Sequence, residues 1–129
     1  MKFTIKSAGS LHMDVIPEAT LVFNVQDLAY DPDLKPELRE LSGETKEIRT
    51  FVLNSPGVTN TIVWLVNLLL EFENMSIRPG VEELSLLVYC RGGRHRSRVI
   101  VDEVSRLLKN CTDTPVEVKH LHAHLPVVK

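Results

Sequence analysis

Cysteine is nearly missing from this 129-residue chain, which holds only Cys90 and Cys111. A disulfide-stapled secreted scaffold is thereby excluded. If Cys90 precedes a helix that Cys111 ends, about 20 Å or more of helix separates the sulfurs, so both are expected as thiols. Aromatic residues are also scarce, at 5% of the chain, and no RNP pattern, stacking platform or basic stripe stands out. Long apolar runs are absent too. The longest, residues 61–70, is about half a bilayer span, and Met1-Lys2-Phe3-Thr4-Ile5-Lys6 lacks the apolar centre of a secretory signal. No membrane association and a cytoplasmic location are expected. No internal repeat or low-complexity segment occurs.

What is present is ordinary globular material, 43% hydrophobic and 25% charged, enough for one domain over residues 1–129 with a real core. The formal charge of −2 conceals an asymmetry. Residues 91–129 carry 8 of the 15 basic side chains against 4 acidic ones, and Arg91, Arg94, Arg96 and Arg98 concentrate that charge on one loop. A focused cluster favours a small anion over duplex nucleic acid.

That loop is Cys90-Arg91-Gly92-Gly93-Arg94-His95-Arg96-Ser97. Before it, the apolar run Leu84 to Tyr89 predicts a buried strand; after it, Arg98 to Cys111 predicts a helix with Ile100, Val104, Leu107, Leu108 and Cys111 along one stripe. A strand end joined to a helix N-terminus through glycines is the construction of an anion cradle. Gly92 and Gly93 permit positive φ and close approach of main chain to ligand oxygens, and guanidinium groups match phosphate or carboxylate geometry. Arg96 and Ser97 are expected to bind phosphate by side chain and backbone, with His95 and His120 as protonatable donors.

Around this unit the pattern predicts strands at Phe3–Lys6 and Thr20–Val25, and a long loop at Leu28–Ser42 with room for one turn of helix. A short helix is predicted at Glu44–Leu53. A longer one is predicted to open on a Ser55 cap with Pro56 in its first turn and to run to about Asn74. That helix is apolar nearly all round, with Val63, Trp64, Leu68 and Leu70 beside the stripe of Val58, Ile62, Leu65, Val66 and Leu69. Burial on two sides, the second by a homo-oligomeric contact, is expected. Asp102 is expected to pair with Arg106, and Val116 to Leu121 to form a closing strand. The fold class is α/β, a small single-domain sheet with packed helices and the site at the carboxyl end of the strand before Cys90.

Two further patterns point elsewhere. Cys90 and Arg96-Ser97 satisfy the C-x5-R-S spacing of cysteine-dependent phosphatases, in which Cys90 would attack phosphorus. The general acid that such chemistry needs is missing, since no aspartate lies between Asp33 and Asp102, and Tyr89 stands where those enzymes carry histidine. His120, His122 and His124 alternate and would share one face of a strand, a set able to hold zinc or nickel. Same-face neighbours lie about 7 Å apart on an extended strand, too far for one tetrahedral metal, so no metal or other cofactor is expected.

Leu21-Val22-Phe23-Asn24-Val25, then Asp31-Pro32, Leu41-Ser42-Gly43, Val52-Leu53, Leu68 to Phe72, Cys90 with Gly92-Gly93-x-His95-Arg96-Ser97, and Val118-Lys119-His120 follow a family order. The chain resembles the C-terminal domain of the RNase adapter family RapZ over nearly its whole length. The resemblance implies an α/β domain that binds an amino-sugar phosphate and oligomerises, without catalysis. In the full-length adapter it implies presentation of a small RNA to an endoribonuclease, so RNA or an RNase is an implied partner. The family's P-loop half is not expected here, because no G-x-x-x-x-G-K-[ST] occurs. Arg91 stands where the family has threonine, Arg98 where valine usually follows the His-Arg-Ser, Asn24 and Gln26 where Asp and Arg are common, and Leu121-His122 where Arg-Asp follows the later histidine.

Overall fold

A strand buried on both faces needs small or apolar residues at both parities, and Lys2–Gly9 (β1) has them in Phe3 and Ile5 on one side and Thr4 and Ala8 on the other. It runs through the sheet interior. In the computed structural model, which describes residues 1–76 and 79–125, β1 lies between Glu83–Cys90 (β3) and Val116–His120 (β4), and Leu21–Asn24 (β2) borders β3. The order is β2-β3-β1-β4 and every pairing is parallel. Parallel neighbours require crossovers. Pro36–Arg39 (α1), Lys46–Leu53 (α2) and Val58–Met75 (α3) make the one from β2 to its neighbour β3, and Arg96–Cys111 (α4) carries the chain from β3 past β1 to β4.

The main core lies between one sheet face and two helices. Phe3, Ile5, Leu84, Leu86 and Val88 meet Ile62, Leu65 and Leu69 of α3 and Ile100, Val104 and Leu108 of α4. Helix α2 adds Ile48 and Val52 against Val99. On the opposite face Ala8, Leu87 and Tyr89 are covered by Met13, Ala19 and Leu121. The rest of that face carries polar contacts, with Lys2 2.8 Å from Glu117 at its edge and the buried Thr4 hydroxyl donating to Glu83 at 2.8 Å. This is how a wholly parallel sheet keeps helices on one side only.

Several local expectations are corrected. Ser55 does not cap α3, because its hydroxyl accepts the Tyr30 amide at 3.0 Å; Gly57 takes φ 85° and the helix starts only at Val58. Helix α2 starts at Lys46 because Thr45 is its cap, accepting the Ile48 amide. Asp102 does not pair with Arg106. Arg106 turns to Glu103 at 2.8 Å, while Asp102 points inward to His120 at 2.8 Å and Arg49 at 3.5 Å. The histidine row does not form as a strand face, since β4 ends at His120, the chain bends with His122 on Gly9, and a turn follows in which the Leu125 amide donates to the His122 carbonyl. Within the chain α3 is buried on one side only, with Val63 and Trp64 exposed. The predicted loop over residues 28–42 holds a 3-10 turn at Pro32–Leu34 and the single turn of α1. No helix among the described residues is long and apolar enough to cross a membrane.

Candidate anion-binding site

The carboxyl ends of three strands converge, Gly9 beside Cys90 and Asn24 beside Tyr89. From Cys90 the chain makes a five-residue loop and enters α4 at Arg96, two residues earlier than the sequence pattern indicates. The loop folds tightly because Gly92 and Gly93 both pack against Gly9. A Cβ on Gly9 would stand 2.4 Å from the Gly92 carbonyl carbon, and one on Gly93 would stand 2.5 Å from the Gly9 nitrogen. Of the pair 92–93 only Gly93 uses a left-handed conformation, φ 73°; on Gly92 a side chain would meet nothing within 4 Å among the described residues.

Beneath the loop runs a chain of hydrogen bonds. The Gly93 amide donates to Cys90 Sγ at 3.2 Å, Cys90 Sγ and Ser97 Oγ are 3.2 Å apart, and Ser97 Oγ donates to the Ala8 carbonyl at 3.2 Å. Cys90 and Ser97 are both buried, and Cys90 and Cys111 are free thiols, as expected. Ser97 thus ties the helix start to β1 by its side chain. Its backbone amide, with those of Arg96 and Arg98, lies in the first turn, where no i−4 carbonyl exists, and His95 provides no side-chain cap.

The four arginines behave differently. Arg96 is 4% exposed, and its guanidinium donates to the carbonyls of Gln26 at 2.8 Å, Leu28 at 3.3 Å and Val25 at 3.4 Å, with Asp31 3.4 Å away. It locks the segment after β2 onto α4. A buried charge is tolerated only with such company. Arg98 packs beneath Gly43 and pairs with Glu44. Arg94 reaches the Glu40 carbonyl at 2.8 Å and the Leu125 carbonyl at 3.3 Å, while its Nε is buried with no acceptor among the described residues. Arg91 is exposed, and its carbonyl accepts the Leu11 amide at 3.0 Å. Buried His95 donates from Nε2 to the Leu41 carbonyl at 2.7 Å.

Cys90, Gly92, Arg94, His95 and Arg96 line one small cleft together with Asp31; its free space is about 10 Å³, room for one water. His120 lies outside this lining. It joins the Ser7 hydroxyl at 2.6 Å to Asp102 at 2.8 Å, residue types of a hydrolase triad, but Ser7 is fully buried. The phosphatase-like motif likewise places its arginine against the carbonyls of residues 25–28. No group of three metal-ligating side chains occurs among the described residues.

Gly9 was not singled out by sequence reasoning, Asp31 entered only through the Asp31-Pro32 step and His122 only as one of three alternating histidines, neither as a residue of the anion site. A glycine closing a strand at the carboxyl edge could have marked Gly9, and the Asp-Pro step could have marked Asp31. His122 had no local signal for this place, because it reaches the site through a turn: its Nδ1 accepts the Gly9 amide at 2.9 Å.

The comparisons with known proteins agree with this architecture. A family model described as the RapZ C-terminal domain matches residues 1–124. A "Nucleotide-binding protein" of Desulfovibrio desulfuricans is 33% identical over 108 residues, covering 84% of this chain and 34% of that protein. Its namesake from Dictyoglomus thermophilum is 35% identical over 97 residues, 75% of this chain and 33% of the relative. One from Clostridioides difficile is 33% identical over 110 residues, 85% and 38%. The chain therefore spans about a third of the length of the curated relatives it matches. With the family match covering almost every residue of the sheet, the helices and the loop, the chain belongs to the RapZ C-terminal domain family.

Proposed function

We propose that this domain is a phosphometabolite-binding regulatory or adapter module that takes a small phosphorylated ligand, a phosphosugar or inorganic phosphate, at the loop between β3 and α4. The observation that carries the reading is Arg94: a guanidinium whose Nε is buried without an acceptor among the described residues, in a cleft at the start of a 16-residue helix that has no side-chain cap. First-turn amides and the helix dipole favour an anion there by about 0.3–1 kcal/mol, and a bidentate guanidinium adds more. The cleft accepts only a water as it stands, so binding requires Arg94 to exchange the Glu40 and Leu125 carbonyls for ligand oxygens. Cys90, Gly92, Gly93, His95 and the backbone of Arg96 and Ser97 shape the receptacle, and Arg91 stands at its rim. RNA or an RNase as partner follows from family resemblance alone, and self-association through the exposed side of α3 belongs to the same proposal.

Thermal unfolding with sulfate, phosphate and a hexosamine phosphate tests it. A ligand at 100 times its Kd adds about 2.7 kcal/mol, a clear rise in Tm. Arg94→Ala is expected to abolish the rise while the protein stays folded. Arg96→Ala is the poorer variant, because it removes the lock on residues 25–31 as well. No rise with any of the three anions in the parent would overturn the small-anion reading and leave the loop as structural or as a contact for a macromolecular partner.

A further inference from the structure

His122 sits against a backbone group that the loop packs on. Its Nδ1 accepts the Gly9 amide at 2.9 Å, so this nitrogen carries the lone pair and the ring proton is on Nε2. Gly9 in turn is in backbone contact with Gly92 and Gly93, and the next turn is tied to the loop by the Leu11 amide on the Arg91 carbonyl at 3.0 Å. We propose that His122 is a positioning residue for the anion loop, holding Gly9 and through it Gly93 only in its neutral form, so that proton uptake by His122 loosens the receptacle.

A second proton on the ring must go to Nδ1. It would face the Gly9 N–H, turning an attraction into a collision between two donors. Among the described residues, the groups that act on the ring offer the cation no compensation. His12 lies with its ring centroid 5.3 Å from that of His122 and its own Nε2 buried without a partner among the described residues, and His124 acts on His122 from the same turn. Burial first, then the charges of His12 and His124, hold the His122 imidazole below the usual histidine range. For a group lowered in this way the folded-state contribution is complete above the ordinary histidine value of about 6.5. It is lost as pH falls through the lowered value. The interaction between His122 and Gly9 needs no ligand, whereas its effect on affinity rests on the anion-site reading above.

The test follows the His122 ring nitrogens and the Gly9 and Gly93 amides by NMR from pH 8 to 5, then measures sulfate affinity at both ends in the parent and in His122→Asn. Sulfate keeps its charge across this range, and the Asn Oδ1 replaces Nδ1 as a non-titrating acceptor. Both amides are expected to shift with the His122 midpoint, and the parent is expected to lose about fivefold more sulfate affinity on acidification than His122→Asn, the worth of one ordinary hydrogen bond. His122 titrating while Gly93 stays unmoved would overturn the proposal, as would an identical pH dependence of affinity in the two proteins. Should both amides follow His122 while sulfate binds at neither pH, the proton-sensitive contact stands and the anion-site reading falls.

Discussion

Gly92 and Gly93 are adjacent and chemically identical, yet their surroundings predict opposite tolerance. Gly93→Ala would force a left-handed alanine into the Gly9 backbone, a rigid neighbour that cannot rotate away, and is expected to cost about 2 kcal/mol or more in urea unfolding. Gly92→Ala meets open space and is expected to stay within about 0.5 kcal/mol of the parent. Equal losses at the two positions would contradict the loop geometry. Residue type alone told only that a glycine pair precedes a helix. It could not tell which glycine is constrained, because the constraint comes from Gly9, more than eighty residues away in sequence. The arginines teach the same lesson: four cations within eight residues look like one binding cluster, but carbonyls and carboxylates from residues 25–44 occupy Arg96 and Arg98.

At the scale of elements, β3 and α4 were legible because their signals are local. The run Leu84 to Tyr89 marks an interior strand, and the Ile100, Val104, Leu108 spacing marks a helix laid on a sheet; the structure buries all of Leu84 to Cys90. The start of α3 was not legible. Ser55-Pro56 has the composition of a helix entry, but the Ser55 hydroxyl finds a competing donor in Tyr30, and a cap cannot serve both. Once begun, α3 is held by its apolar face rather than by its ends. Leu69 is fully buried among sheet and helix side chains, so Leu69→Ala is expected to lower stability by about 2–5 kcal/mol in denaturant unfolding. Thr45→Ala, which removes only the α2 cap, should cost about 1 kcal/mol in the same experiment.

For the whole molecule, an uncharged stretch of α3 from Val58 to Leu70 leaves Val63 46% and Trp64 61% exposed, an unusual surface for a chain with 25% charged residues. Size-exclusion light scattering is expected to find an assembly that Trp64→Lys dissociates; a parent that runs as a monomer at tens of micromolar would remove the oligomer. By itself the sequence determined the α/β class, the strand-loop-helix around Cys90 and the thiol state of both cysteines, since each depends on periodicity, composition or separation along one short segment. Only the tertiary structure decided which cations line the cleft and which are taken up by carbonyls and carboxylates, that His120 belongs to Ser7 and Asp102, and that His122 accepts the Gly9 amide. Those outcomes depend on which distant donors and acceptors the fold brings within 3 Å or so, and a buried polar group is committed by the partners it finds, not by its own chemistry.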